Sequence, residues 1–170
     1  MKIWKAQRTL LIVGEGAVDE ALLLYAKKLY VPRGCGLSVK IKNAGGKGAS
    51  HVIDWTIRQM TNAAYDEVAV LLDTDVDWTP AVEKRARQKK IRVMKSIPSV
   101  DAVLLRLIGK STAGDSHALK KRLNPYLNHA PTDPAQYATH FGDAVLRAGR
   151  RSEAVIATLL ELLNVDDDFT

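Results

Sequence analysis

Two apolar runs in this chain stop abruptly at carboxylates, and they restrict the possible folds more than any other feature. Leu10-Leu11-Ile12-Val13 passes into Gly14-Glu15-Gly16-Ala17-Val18-Asp19-Glu20, and Val68-Ala69-Val70-Leu71-Leu72 passes into Asp73-Thr74-Asp75-Val76-Asp77. Runs this short and this continuously apolar suit strands buried on both faces, as in a parallel sheet covered by helices. The acids then stand where buried strands emerge into solvent, the edge at which α/β proteins place ligands.

The first half of the chain repeats that unit. Apolar alternation and turn residues predict strands over 9–14, 37–42, 67–73 and 91–95, with helices over 17–29, 50–63 and 80–89 between them. Ile53, Ile57, Met60 and Ala64 recur at helical spacing and offer a face for the sheet. Pro80 suits the first turn of a helix opened by Thr79. The expected fold class is therefore α/β: a Rossmann-like parallel sheet of about four strands with helices on both faces. After Pro98 the pattern becomes helical, over 100–108, 117–127, 135–148 and 152–163. The expected organisation is an α/β domain over 1–110 and a helical extension over 111–170 packed on it. Asp166-Asp167-Asp168 reads as a frayed, solvated tail.

No apolar run approaches the roughly 20 residues of a membrane span, and Met1-Lys2-Ile3-Trp4-Lys5 leads into a strand rather than a signal peptide. A cytoplasmic protein without a membrane partner is expected. The single cysteine, Cys35, has no partner for an internal disulfide and no neighbour at zinc-finger spacing. The formal net charge of +6 favours a polyanionic partner, because Lys and Arg release counterions from nucleic acid.

Among the acids, Glu15 lies between two glycines, which let the backbone turn sharply and leave a carboxylate at the sheet edge. Asp19 and Glu20 also suit the first turn of a helix, where the macrodipole favours negative charge. Asp73, Asp75 and Asp77 share one face if the extended backbone continues past Leu72. Three such charges repel unless water or a cation screens them, and a hard ion such as Mg²⁺ fits carboxylates, waters and substrate phosphates.

Several familiar sites are excluded on the same residues. An EF-hand opening at Asp73 needs Gly and Glu where Trp78 and Lys84 stand. Gly14-Glu15-Gly16 begins like a dinucleotide fingerprint, but Asp19 replaces its third glycine and Glu15 would oppose a pyrophosphate. Gly109-Lys110-Ser111 follows a helix and has Leu104 in place of the leading glycine of a phosphate loop, so no ATPase is encoded.

An apolar strand followed by Glu15-Gly16-Ala17-Val18-Asp19, then a second one followed by Asp73-Thr74-Asp75, resembles the TOPRIM domain of topoisomerases, bacterial primases, OLD-family nucleases and RloB-like proteins. The stretch from Ser96 to Leu105 is similar to the segment after the last TOPRIM strand in the RloB-like and OLD groups, with Val100 in place of an aromatic residue and Asp101 in place of a glutamate. The resemblance covers roughly residues 8–110. It implies a Mg²⁺-dependent (or Mn²⁺-dependent) nuclease, a hydrolase of DNA in preference to RNA, with Glu15, Asp73 and Asp75 catalytic. Those three with Asp19, Asp77 and Asp101 are the candidate metal ligands.

Substrate would be held by cations. Lys84, Arg85, Arg87, Lys89, Lys90, Arg92 and Lys95 crowd one stretch that otherwise reads as a solvated helix face, and Lys47 sits in the loop Asn43-Ala44-Gly45-Gly46-Lys47-Gly48, otherwise a plain turn. Arg147, Arg150 and Arg151 either extend that surface or complement a helix C-terminus. His51, His117, His129 and His140 show no pairing with acids and read as surface or capping residues, and Trp78 is the tryptophan beside the acids. Because OLD-type systems couple this domain to an ATPase, a second reading is a non-catalytic nucleic-acid-binding or regulatory module working with a separate ATPase chain in defence or repair. A homodimer is one arrangement either allows. A third reading is a haloacid dehalogenase-like phosphatase built on Asp73 and Asp75, although that motif normally opens the chain and takes Thr or Val where Asp77 stands.

Overall fold

The computed structural model describes residues 6–167. Four strands, β1 (Arg8–Gly14), β2 (Leu37–Asn43), β3 (Glu67–Asp73) and β4 (Ile91–Ser96), form one sheet in the order β2-β1-β3-β4. All three pairings are parallel: Gly14 lies opposite Asn43 and Leu71, and Asp73 opposite Ser96. Every strand therefore ends at the same edge. Helices α1 (Ala17–Tyr30), α2 (Gly48–Asn62) and α3 (Pro80–Gln88) connect them, and α4 (Val100–Leu107), α5 (Ser116–Leu123), α6 (Asp143–Gly149) and α7 (Ala154–Leu162) follow. This is the expected α/β class.

Period-two alternation divides the core. Leu10 and Ile12 point into a cluster with Leu22, Ala26 and Tyr25 of α1 and with Leu104, Leu119, Leu146, Ile156 and Leu159 from the later helices. Leu11 and Val13 point the other way, onto Val52 and Ile53 of α2 and Val82 and Ala86 of α3. The helices after residue 111 thus share a core with β1 and α1. No helix among the described residues is long and apolar enough to cross a membrane.

Helix ends follow local chemistry. Thr79 and Ser99 cap α3 and α4 by accepting hydrogen bonds from Val82 N and Ala102 N, at 3.3 and 3.4 Å. On α2 the expected Ile53, Ile57 and Met60 pack on the core together with Val52, whereas Ala64 is exposed and outside the helix, which ends when Ala63 turns extended. The expected helix over 135–148 is two pieces, a 3₁₀ turn Pro134–Tyr137 and α6, restarted by Gly142 in an extended conformation. The segment over 117–127 is helical only to Leu123. A 3₁₀ turn, Asn124–Leu127, with Pro125 at its start finishes it, since proline has no N–H to continue an α-helical ladder. Helix α7 starts at Ala154 because Glu153 is extended, its carboxylate held by Arg106 at 2.6 and 3.0 Å.

The tail is held as well. Arg150 donates to Val165 O and Asp166 O, at 2.5 and 3.0 Å, and pairs with Asp167, so the expected fraying is corrected for 166–167, while Asp168 lies outside the described residues.

Candidate functional site

The sheet order reverses between β1 and β3. From β1 the chain passes through α1 to β2 on one side, then through α2 to β3 on the other, which opens a crevice beyond the strand ends at this switch point. Glu15 and Asp73 stand on its two sides.

Glu15 is anchored by its own backbone. Its N–H donates to Leu71 O at 3.0 Å, its carbonyl accepts from Gly46 N at 2.7 Å, and Ala44 N donates to Gly14 O at 3.0 Å. The glycine loop after β2 is therefore tied to the site, with Lys47 exposed at the start of α2 in a left-handed conformation (φ 69°). The Glu15 side chain continues the ladder: Oε2 accepts from Asp73 N at 2.9 Å. Gly14 allows helix α1 to begin this close to β1, since a Cβ there would meet Asp19 Cβ and Glu20 N at 3.0 Å.

Asp73 Oδ1 accepts from Val100 N at 2.9 Å, at the first turn of α4. Asp19 Oδ2 accepts from Gly16 N at 3.0 Å, the helix-capping role open to it in sequence. The same side chain is only 6% exposed, and its Oδ1 is buried without a hydrogen-bond partner. Asp101, expected in the first turn of α4, is also buried.

These acids act on one another. Burial, opposed by the Gly16 hydrogen bond and reinforced by Glu15 and Asp101, pushes Asp19 up to about 7. Burial and the charge of Asp19 push Asp73 up to about 8 against the pull of the Val100 hydrogen bond, with Glu15 and Asp75 adding to the rise. Burial also raises Asp101, with Asp75 adding to it and Lys120 opposing it. Tyr137, fully buried, donates to Pro131 O at 2.8 Å, and burial together with Asp19 and Asp101 keeps its phenol protonated. Glu15, Asp19, Asp73, Asp75 and Asp101 thus form one electrostatic unit in which Lys120, acting on Asp101, is the cation that opposes the rise.

Asp77 does not belong to it. The expected extension of β3 through three alternating acids is corrected: the strand ends at Asp73, Thr74 N donates to Ser96 O at 3.2 Å, and Asp77 is left-handed (φ 63°). Its Oδ2 accepts from Ser50 N at 3.2 Å and its Cβ lies against Gly48, where φ of +83° and a 3.3 Å approach both favour glycine. Asp77 serves the start of α2.

The basic run also separates. Helix α3 starts at the acid edge and runs away from it, and Arg92 lies opposite Ala69, four residues from the Asp73–Ser96 pair, or about 13 Å along the strand. Arg85 pairs with Asp54, Arg92 with Glu161 at 2.8 Å, and Lys95 Nζ lies 5.6 Å from the Trp78 ring centroid. Lys84, Arg87, Lys89 and Lys90 are exposed. Two of the histidines have other contacts: His51 Nε2 lies 3.0 Å from Ala44 O, and the His140 ring meets Tyr126 edge-on.

Among the described residues no group of three or more His, Cys, Asp or Glu is arranged to hold a metal ion. Mg²⁺ does not need one, since it is commonly held by one or two carboxylates with waters and phosphates. The partnerless Asp19 Oδ1 and the mutually raised acids suit a cation at this edge. Val100 N, Tyr137 and Lys120 join the site without a signal in the sequence: an amide carries none, and Tyr137 and Lys120 reach it only through folding. Comparison of the chain with protein-family models, curated proteins and solved structures found no match.

Proposed function

We propose that the chain is a TOPRIM-like protein of the OLD and RloB-like type that cleaves nucleic-acid phosphodiesters with Mg²⁺ or Mn²⁺. One observation carries the reading: Glu15 and Asp73 meet across the β1/β3 switch point, the Asp73 N–H donating to Glu15 Oε2 at 2.9 Å, and the buried Asp19 is close enough to act on Asp73. Glu15, Asp73 and Asp75 would hold the ion, with Asp19 and Asp101 tuning the charge around it. When bound, the ion neutralises charge developing on a phosphate and lowers the pKa of a coordinated water.

The chain's own residues set the geometry. Val100 N fixes the Asp73 carboxylate and leaves its second oxygen free of that bond. Glu15, held through its backbone by β3 and by the loop after β2, is the group to move a proton at the attacking or leaving oxygen. Lys47 beside it supplies a cation for a phosphate oxygen. A phosphatase built on Asp73 as nucleophile is less well supported, since that motif normally opens the chain and takes Thr or Val where Asp77 stands.

The test is nicking of plasmid and of oligonucleotides with Mg²⁺ or Mn²⁺. Glu15→Gln retains an oxygen for Asp73 N, so loss of cleavage in that variant and in Asp73→Asn reports chemistry rather than unfolding. Full activity in both variants would sink the proposal. Metal-dependent binding without turnover, restored by an added ATPase chain, would favour the regulatory reading.

A further inference from the structure

The groove between α3 and β4 opens beside the acid edge at Trp78 and encloses about 370 Å³. Arg87, Lys90, Arg92 and Lys95 line it with Trp78, against one acid, Glu83. Arg87 and Lys90 are exposed, and Trp78, half-buried against the core, has Lys95 Nζ 5.6 Å from its ring centroid. Val76 and Ile97, 59% and 60% exposed, lie in the segments that follow β3 and β4.

We infer that this groove is a track for single-stranded nucleic acid, with one base stacked on Trp78 and the following phosphates on Lys95, Arg87 and Lys90. An aromatic face with spaced cations is the chemistry of sequence-tolerant single-strand binding, and it needs a base whose face is open, which a duplex interior does not offer. A base displaces Lys95 from the indole and frees that ammonium for the phosphate next to it. The inference extends the cleavage reading by naming its substrate as a single strand, or the single-stranded part of a branched one, entering from the β4 side.

Binding is measured in EDTA by fluorescence anisotropy of labelled oligo-dT and of a hairpin duplex of equal length, over a salt series. The expected result is tighter binding of the single strand, weakened about tenfold in Trp78→Ala and largely kept in Trp78→Phe. Arg87→Gln with Lys90→Gln should lower the salt slope by about 0.7 for each phosphate no longer neutralised. Equal affinity for duplex and single strand, or an unchanged affinity and slope in these variants, overturns the track. Because no metal is present, a protein that shows the track but never nicks defeats the cleavage proposal alone.

Discussion

The C-terminal edge of the sheet and the flank formed by α3 and β4 carry opposite charge under opposite conditions. At the strand C-termini carboxylates are crowded and partly buried, and each makes its neighbours harder to ionise. Along the α3 and β4 flank the cations are mostly exposed, some of them in surface ion pairs. A buried like-charge group has few ways to relax and is strongly perturbed, whereas exposed charges are screened and individually matter little. Chemistry is therefore expected at the acidic end and binding along the basic one.

The largest test of that contrast is Glu15→Gln, expected to lower metal-dependent cleavage by about 10²–10⁴-fold, as for loss of a general acid or base. Single-turnover rates check it, and a change below about threefold would remove Glu15 from the chemistry. Next is Gly14→Ala, whose Cβ would strike backbone at 3.0 Å. It should cost about 1–3 kcal/mol, read from denaturant midpoints, through forced separation of β1 and α1.

Asp19→Asn tests the acid edge in the opposite direction. Asp19 rises from 3.8 in an unfolded chain to about 7 when folded, so the stability it contributes is present below about pH 4 and is lost as pH rises through 7. The variant should match the native chain near pH 4 and exceed it increasingly as pH rises to 8, read as a higher Tm. Added Mg²⁺ should narrow that gap by stabilising the native chain; a gap independent of pH would contradict the burial argument.

The smallest effect is expected for Arg92→Ala. Its pair with Glu161 is on the surface, so stability should fall by less than about 1 kcal/mol and the loss should shrink in salt. A larger loss, seen as a Tm drop of more than a few degrees, would mean the flank is structural rather than a binding surface.

Much of the fold is legible in the sequence because its signals are local. Each sheet strand is a short apolar or alternating run with turn residues near its ends; Thr79 and Ser99 mark helix starts by hydrogen bonds made within three residues, and Pro80 by its fixed φ. The later helices are shorter than their apolar pattern suggests where Gly142 and Pro125 interrupt them, because a single turn residue inside such a pattern is a weak stop until packing selects the break. Glu15 and Asp73 are legible as a pair because strand ends of a parallel sheet share an edge. The fate of Asp77 is not, since its left-handed backbone and its bond to Ser50 N depend on the approach of α2.

By itself the sequence determined the α/β alternation, the acids at two strand ends and the excess of positive charge, all properties of neighbouring residues. Tertiary structure alone decided that β1 and β3 are adjacent, that Val100 N reaches Asp73, and that Asp19 is buried against Glu15 and Asp101. It also turned the basic run away from the acids along α3. The reason is physical: burial and hydrogen bonding between distant segments set charge state and direction, and neither exists until the sheet closes over its helices.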